Sequence, residues 1–135
     1  MTLRITQSAY DEIVAHARAE APIEACGYVG VADGVATTSL SLTNADHSPE
    51  NFSFDPAEQF AAVRTLRKAG HVLGVVYHSH PATPARPSQE DIRLAFDPAI
   101  TYVIVSLATD APDLRAFLIR NGDVTPEPVE VLQNA

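Results

Sequence analysis

Val72-Leu73-Gly74-Val75-Val76-Tyr77 is an apolar run that ends in His78-Ser79-His80-Pro81. Seven residues separate His80 from Ser88, and Asp91 follows three positions later. The run reads as a central strand over 72–78. Residues alternate between the two faces of a strand, so His78 and His80 point to one side, roughly 6.6 Å apart along the backbone. Two imidazoles so placed can converge on one ion at the roughly 2.0–2.1 Å of a zinc–nitrogen bond. Pro81 biases His80 toward an extended backbone. Pro81, Pro84 and Pro87 make the following loop stiff. Ser88 opens a short helix to about Phe96, which returns Asp91 toward the histidines as a third ligand. Two histidines and one carboxylate leave a tetrahedral zinc ion with an open position, the pattern of a catalytic site. Of the chain's many carboxylates, Glu24 stands out by placement as the proton acceptor. It lies in Pro22-Ile23-Glu24-Ala25-Cys26-Gly27, where a helix ends and a buried strand begins.

Each part also has a plainer reading. Ser88-Gln89-Glu90-Asp91 is a variant of the capping box. A His-x-His pair on its own equally describes two surface histidines at a strand end. Glu24 alone reads as a solvated helix-end residue, and Cys26 as a small buried hydrophobe. His16, His47 and His71 have no companions at ligand spacing.

Outward from this stretch, residues 2–6 form a short strand. Ser8 with Asp11 signals a helix start, and Tyr10, Ile13, Val14 and Ala17 give that helix one apolar face. Residues 25–31 and 35–43 are strands joined by an Asp33-Gly34 turn. A polar loop runs from Asn44 to Asn51. Asp55-Pro56-Ala57-Glu58 opens a second helix, with Phe60, Val63 and Leu66 inward and Gly70 at its end. Strands follow at 100–107 and 113–120. After the Asn121-Gly122 turn, residues 123–132 form an edge strand, since Pro126 and Pro128 do not fit a sheet centre. This order predicts an α/β fold, a mixed sheet sandwiched by helices, as one domain over residues 1–135.

The composition narrows the function. A net charge of −8, with nine Lys and Arg, argues against nucleic acid. Arg64, Arg67 and Lys68 read as the solvated face of a helix. One cysteine excludes an internal disulfide. No apolar run reaches the roughly 20 residues of a membrane span, so a cytoplasmic location is expected, without membrane association.

Taken together, Glu24, His78-Ser79-His80, Ser88 and Asp91 resemble the signature of the JAMM (MPN-plus) metalloproteases. Ala25-Cys26-Gly27-Tyr28 and Asn51-Phe52-Ser53-Phe54-Asp55-Pro56 are similar to flanking segments of that family. The resemblance covers roughly residues 20–110. It implies a cytidine-deaminase-like (JAB/MPN) fold, with Zn²⁺ held by His78, His80 and Asp91. It further implies that Glu24 takes a proton from the attacking water and passes it to the leaving amine, and that Ser88 stabilises the oxyanion. The compact size and the Phe52–Pro56 segment resemble a small bacterial subgroup that acts on ubiquitin-like sulfur-carrier proteins. The implied substrate is such a carrier's C-terminal tail, cut by a zinc-dependent peptidase or isopeptidase.

Three rivals are weaker. Inactive scaffold domains of the same fold lack the ligands found here. RadC-type proteins share the His-x-His and Ser-x-x-Asp spacing, but usually carry an N-terminal helix-hairpin-helix region for which this chain has no room. Iron oxygenases with two histidines and a carboxylate open three metal positions on one face, and a Ser-x-x-Asp pairing with a distant Glu fits hydrolysis better.

Overall fold

Thr6 ends the first strand and caps the first helix. Its Oγ1 accepts from the Ala9 N–H at 3.1 Å, so helix α1 (Gln7–Glu20) begins at Gln7 rather than at Ser8. This is how β1 (Leu3–Thr6) feeds α1 with no intervening loop. The computed structural model describes residues 2–95 and 97–133. The remaining elements are β2 (Cys26–Ala32), β3 (Val35–Leu42), α2 (Pro56–Lys68), β4 (Val72–His80) and α3 (Gln89–Leu94), then β5 (Thr101–Ser106), β6 (Asp113–Arg120), β7 (Asp123–Glu127) and β8 (Val129–Leu132). Helix α3 ends sooner than its sequence pattern suggests, at Leu94, and the expected terminus at Phe96 lies outside the described residues.

All eight strands join one mixed sheet in the order β7-β6-β5-β4-β2-β3-β1-β8. The expected single edge strand over 123–132 is in fact two strands at opposite ends of that order. Pro128 separates them, and its carbonyl accepts from the Leu3 N–H at 2.8 Å. Proline has no N–H for a ladder, so pairing breaks there and the chain passes from one edge to the other. The sheet therefore curves until its two edges meet at Pro128.

One face of the curved sheet wraps α1. Ala9, Ile13, Val14 and Ala17 bury against Ile5, Val29, Val75, Tyr77, Val103 and Val105. Tyr10 sits at the edge of this cluster and Ala9 takes the inner place. Gly27 belongs to the same packing: a Cβ there would lie 2.4 Å from both the Leu40 carbonyl oxygen and the Tyr77 ring. The other face carries two smaller clusters. Tyr28 and Leu42 pack against Ala62 of α2, and Ile104, Phe117, Ile119 and Ala85 lie beside α3. In α2 the inner residues are Ala62 and Leu66, with Val63 partly buried. Phe60 is 67% exposed, contrary to its expected inward position. The helix turns so that Ala62 fits against Tyr28 and Leu42, which leaves Phe60 outside with Arg64 over its ring.

Strand β4 continues two residues past its expected end and includes both histidines. Val75 and Tyr77 face α1, so alternation turns Val76, His78 and His80 to the opposite face. The histidines thus lie between the α2 and α3 clusters. None of the described helices is long and apolar enough to cross a membrane.

Candidate metal centre

His78 and His80 are held by the sheet itself. His78 pairs with Cys26 of β2 and Ile104 of β5, and His80 pairs with Ser106 of β5. Both are buried, at 3% and 5% exposure, so they are not surface histidines at a strand end. The His80 Nδ1 lies 2.8 Å from the Pro84 carbonyl, which has only acceptor capacity. The Nδ1 therefore carries the proton and donates, leaving the Nε2 lone pair free in the neutral ring. Ser106 Oγ anchors the same proline-rich loop by donating to the Thr83 carbonyl at 2.6 Å. The ring of Phe52 stacks on His78, with centroids 4.6 Å apart and planes inclined by 29°.

Asp91 arrives from the first turn of α3. The capping box is complete: Ser88 Oγ accepts from the Asp91 N–H at 3.0 Å, and Asp91 Oδ2 accepts from the Ser88 N–H at 2.9 Å. The same Oδ2 lies 3.2 Å from His78 Nε2 and 3.1 Å from His80 Nε2, and the two nitrogens are 3.2 Å apart. Capping and convergence are thus one arrangement. Ser88 Oγ uses a lone pair for the cap and keeps its O–H for another acceptor.

The triangle fits a metal ion. Three ligands of a tetrahedral zinc ion with bonds near 2.05 Å stand about 3.3 Å apart. The observed sides of 3.1–3.2 Å match. The donor set is also right, since Pro84 orients one histidine and Ser88 steadies the carboxylate. His78, His80 and Asp91 form the group of metal-capable side chains found among the described residues.

The electrostatics differ among the three side chains. Burial holds the His78 pKa below the ordinary imidazole value, against the pull of Asp91. Burial also works against charge on His80, but the Asp91 and Pro84 oxygens outweigh it and raise the pKa. Burial opposes ionisation of Asp91 too, yet the two histidine rings beside it and the Ser88 N–H hold its carboxyl well below the usual range. At neutral pH the site offers a carboxylate.

Glu24 sits just ahead of β2 and is 3% exposed, so it is no solvated helix-end residue. Its Oε1 is buried without a hydrogen-bond partner among the described residues. Burial raises its pKa to about 8, with His80 opposing and Asp91 and Glu50 adding to the rise. A carboxyl left unpaired in such a place is costly unless something is meant to meet it. Ser79, between the two histidines, holds this segment to β4: its Oγ accepts from the Ala25 N–H at 2.8 Å.

The other candidates fall outside the site. Cys26 is buried on β2 and burial pushes its thiol up to about 12, which keeps it a thiol. His16 packs against Tyr77 on the opposite face of the sheet, and His71 bonds Thr38. The sequence gives little warning of Phe52 or of buried Asn44. The signals for Phe52 are an aromatic pair, Phe52 and Phe54, in an otherwise polar loop, and the family-like segment from Asn51 to Pro56 that contains it.

The family described as prokaryotic homologues of the JAB domain matches residues 6–120. A relative from Mycobacterium tuberculosis, named a CysO-cysteine peptidase, is 41% identical over 126 residues, covering 90% of this chain and 85% of that protein. A Thermus thermophilus relative, named a probable TtuB-protein conjugate cleaving protease, is 34% identical over 123 residues, covering 90% of this chain and 79% of that protein. The solution structure of a Desulfitobacterium hafniense protein superposes with a TM-score of 0.89 at 43% identity, covering 98% of this chain and 94% of that one. A JAB1/MPN domain protein from Archaeoglobus fulgidus shares the fold, with a TM-score of 0.63 at 19% identity and coverage of 96% and 98%. With the match running from the end of β1 to the end of β6, this chain belongs to the prokaryotic JAB-domain family.

Proposed function

We propose that the chain is a zinc-dependent peptidase that hydrolyses an amide bond at the C-terminal tail of a ubiquitin-like sulfur-carrier protein. The observation that carries this reading is the buried triangle of His78, His80 and Asp91 near an unpaired, buried Glu24. The names of the two relatives support the substrate, since each describes the cleavage of something joined to a named protein.

In this reading His78, His80 and Asp91 hold zinc, which when bound lowers the pKa of water toward 7 and polarises a carbonyl. Glu24 accepts the proton of the attacking water and gives it to the leaving amine, so it is base first and acid second. A pKa raised by burial suits a group that must do both near neutral pH. The free O–H of Ser88 donates to the oxygen that becomes negative in the tetrahedral intermediate. The residues from β1 to β8 act together as one catalytic domain.

The test uses the purified protein and a sulfur-carrier protein extended by one residue past its terminal diglycine. Mass spectrometry should show loss of that residue with wild type and not with Glu24→Gln, which should keep its metal. Equal cleavage by both proteins would remove Glu24 from the mechanism. Failure to bind zinc after reconstitution would remove the metallopeptidase reading altogether.

A further inference from the structure

The connection from β3 to α2, residues 43–55, contains no helix and no strand beyond a single bridge between Asn44 and Phe54. A connection of that kind needs its own internal support, because its backbone groups have no ladder to satisfy them. Asn44 supplies it. Its side chain is buried, and both ends are fully used. The Nδ2 donates to the carbonyls of Glu24 and Asn51, each at 3.0 Å, and to that of Ser48 at 3.4 Å. The Oδ1 accepts from the Asp46 N–H at 3.0 Å and the Ser53 N–H at 3.4 Å.

One of these bonds leaves the loop and reaches Glu24. The loop also receives a bond in return, from the Glu24 N–H to the Ser48 carbonyl at 3.0 Å. Both backbone groups of Glu24 are therefore held by this loop, whereas the ladder of β2 begins only at Cys26. The carboxyl Oε1 has no partner of its own. Its place is consequently set from the backbone, which Asn44 and Ser48 hold at Glu24 itself and Ser79 holds one residue later, through both backbone groups of Ala25.

We propose that Asn44 is a positioning residue that anchors the 45–53 loop to the Glu24 backbone and thereby fixes where the Glu24 carboxyl stands relative to the His78, His80 and Asp91 cluster. The catalytic half of this inference rests on the peptidase reading above, but the anchoring half does not. Asn44 touches no reacting atom. Its effect passes through Glu24, so removing it should cost rate and little metal affinity. The metal-facing side chains stand on β4 and α3, and the hydrogen bonds of the Asn44 side chain go to Glu24, Asp46, Ser48, Asn51 and Ser53 instead.

The experiment compares wild type, Asn44→Ala, Asn44→Ser, which puts a shorter hydroxyl in place of the carboxamide, and Asp46→Ala. Asp46 accepts from Ser53 Oγ within the same loop and makes no bond to Glu24, so it controls for general loosening. Amide hydrogen exchange is read by NMR at a temperature where every variant is folded. The Glu24 amide should exchange at least tenfold faster in Asn44→Ala, less so in Asn44→Ser, and as in wild type in Asp46→Ala. The amides of β4 should be unchanged. The zinc dissociation constant, from chelator competition, should rise by no more than about tenfold, the loss expected if the Phe52 stack loosens with its loop, so cleavage is read at saturating zinc.

Cleavage of the extended carrier gives the second readout. Asn44→Ala should lower kcat at least tenfold with KM within threefold, and Asn44→Ala combined with Glu24→Gln should be no slower than Glu24→Gln alone. An unchanged Glu24 amide overturns the anchoring. Rate losses that multiply in the double variant would show that Asn44 does not act through Glu24. If wild type cuts no carrier, the peptidase reading fails, while the exchange measurement still decides the anchoring.

Discussion

Glu24 brings two requirements into conflict at a single residue. Its side chain is buried and unpaired at Oε1, which favours the neutral acid, yet its proposed work requires the carboxylate. A carboxyl whose folded pKa is raised adds stability that is present below its unfolded value of 4.5 and is lost as the pH rises toward about 8. In protein stripped of metal, wild type should therefore lose stability relative to Glu24→Gln between pH 5 and pH 8, by an amount on the order of a few kcal/mol. Urea titrations of both proteins in a chelator would measure it, and parallel pH profiles would refute it. In catalysis the same substitution should cost roughly 10²–10⁴ in kcat with zinc content unchanged, the range for loss of a general base. Phe52 makes a milder prediction. Its stack on His78 should be worth about 0.5–1.5 kcal/mol, so Phe52→Ala should weaken zinc binding by about two- to tenfold in a competition assay.

At the scale of elements, Ser88 separates structure from chemistry. Helix α3 has no buried residue of its own, and its capping box is the main local device that starts it. Ser88→Ala removes the cap and should cost about 1 kcal/mol of stability, seen as a lower Tm. It also removes the proposed oxyanion donor, which should lower kcat by roughly 10²–10³. Ser88→Thr keeps both groups and should recover most of each loss. Strand β2 makes a contrasting case. Gly27 lies where Tyr77 crosses the strand, and Gly27→Ala drives a methyl group into the Leu40 carbonyl and the Tyr77 ring. It should cost about 1–3 kcal/mol in denaturant unfolding, the usual range for overpacking. Zinc affinity should change little, because Tyr77 faces away from the histidines.

For the whole molecule, the site ties together parts far apart in the chain. His78 and His80 come from β4, Asp91 from α3 and Glu24 from the start of β2, with Phe52 from the loop before α2. A metal that binds only the folded arrangement stabilises all of them by mass action, by about 2.7 kcal/mol when free zinc is a hundredfold above its dissociation constant. Chelation should lower Tm, zinc should restore it, and magnesium should not, because hard cations prefer oxygen ligands. A Tm indifferent to chelator and to zinc would contradict the metal site. The curved sheet supplies the rigidity for this convergence, since its central strands β2, β4 and β5 are paired on both sides.

The amino-acid sequence by itself determined most of the elements and the residues of the candidate metal cluster. Strand period places His78 and His80 on one face, and Ser88 to Asp91 carries both the cap and the proposed third ligand within four residues. These are local relations, readable because neighbours in sequence are neighbours in space. Only the tertiary structure decided how the sheet closes, which side of α2 faces inward, and what surrounds Glu24. Residues 123–132 look like one edge strand until Pro128 is seen joining two opposite edges. Phe60 looks like a core residue until the fit of Ala62 against Tyr28 and Leu42 turns it outward. Asn44 reads as one more polar loop residue, and its role appears only when the loop folds back on the strand before β2. In each case the deciding contact joins residues distant in the chain, and hydrophobic period and capping patterns carry no information about such pairs.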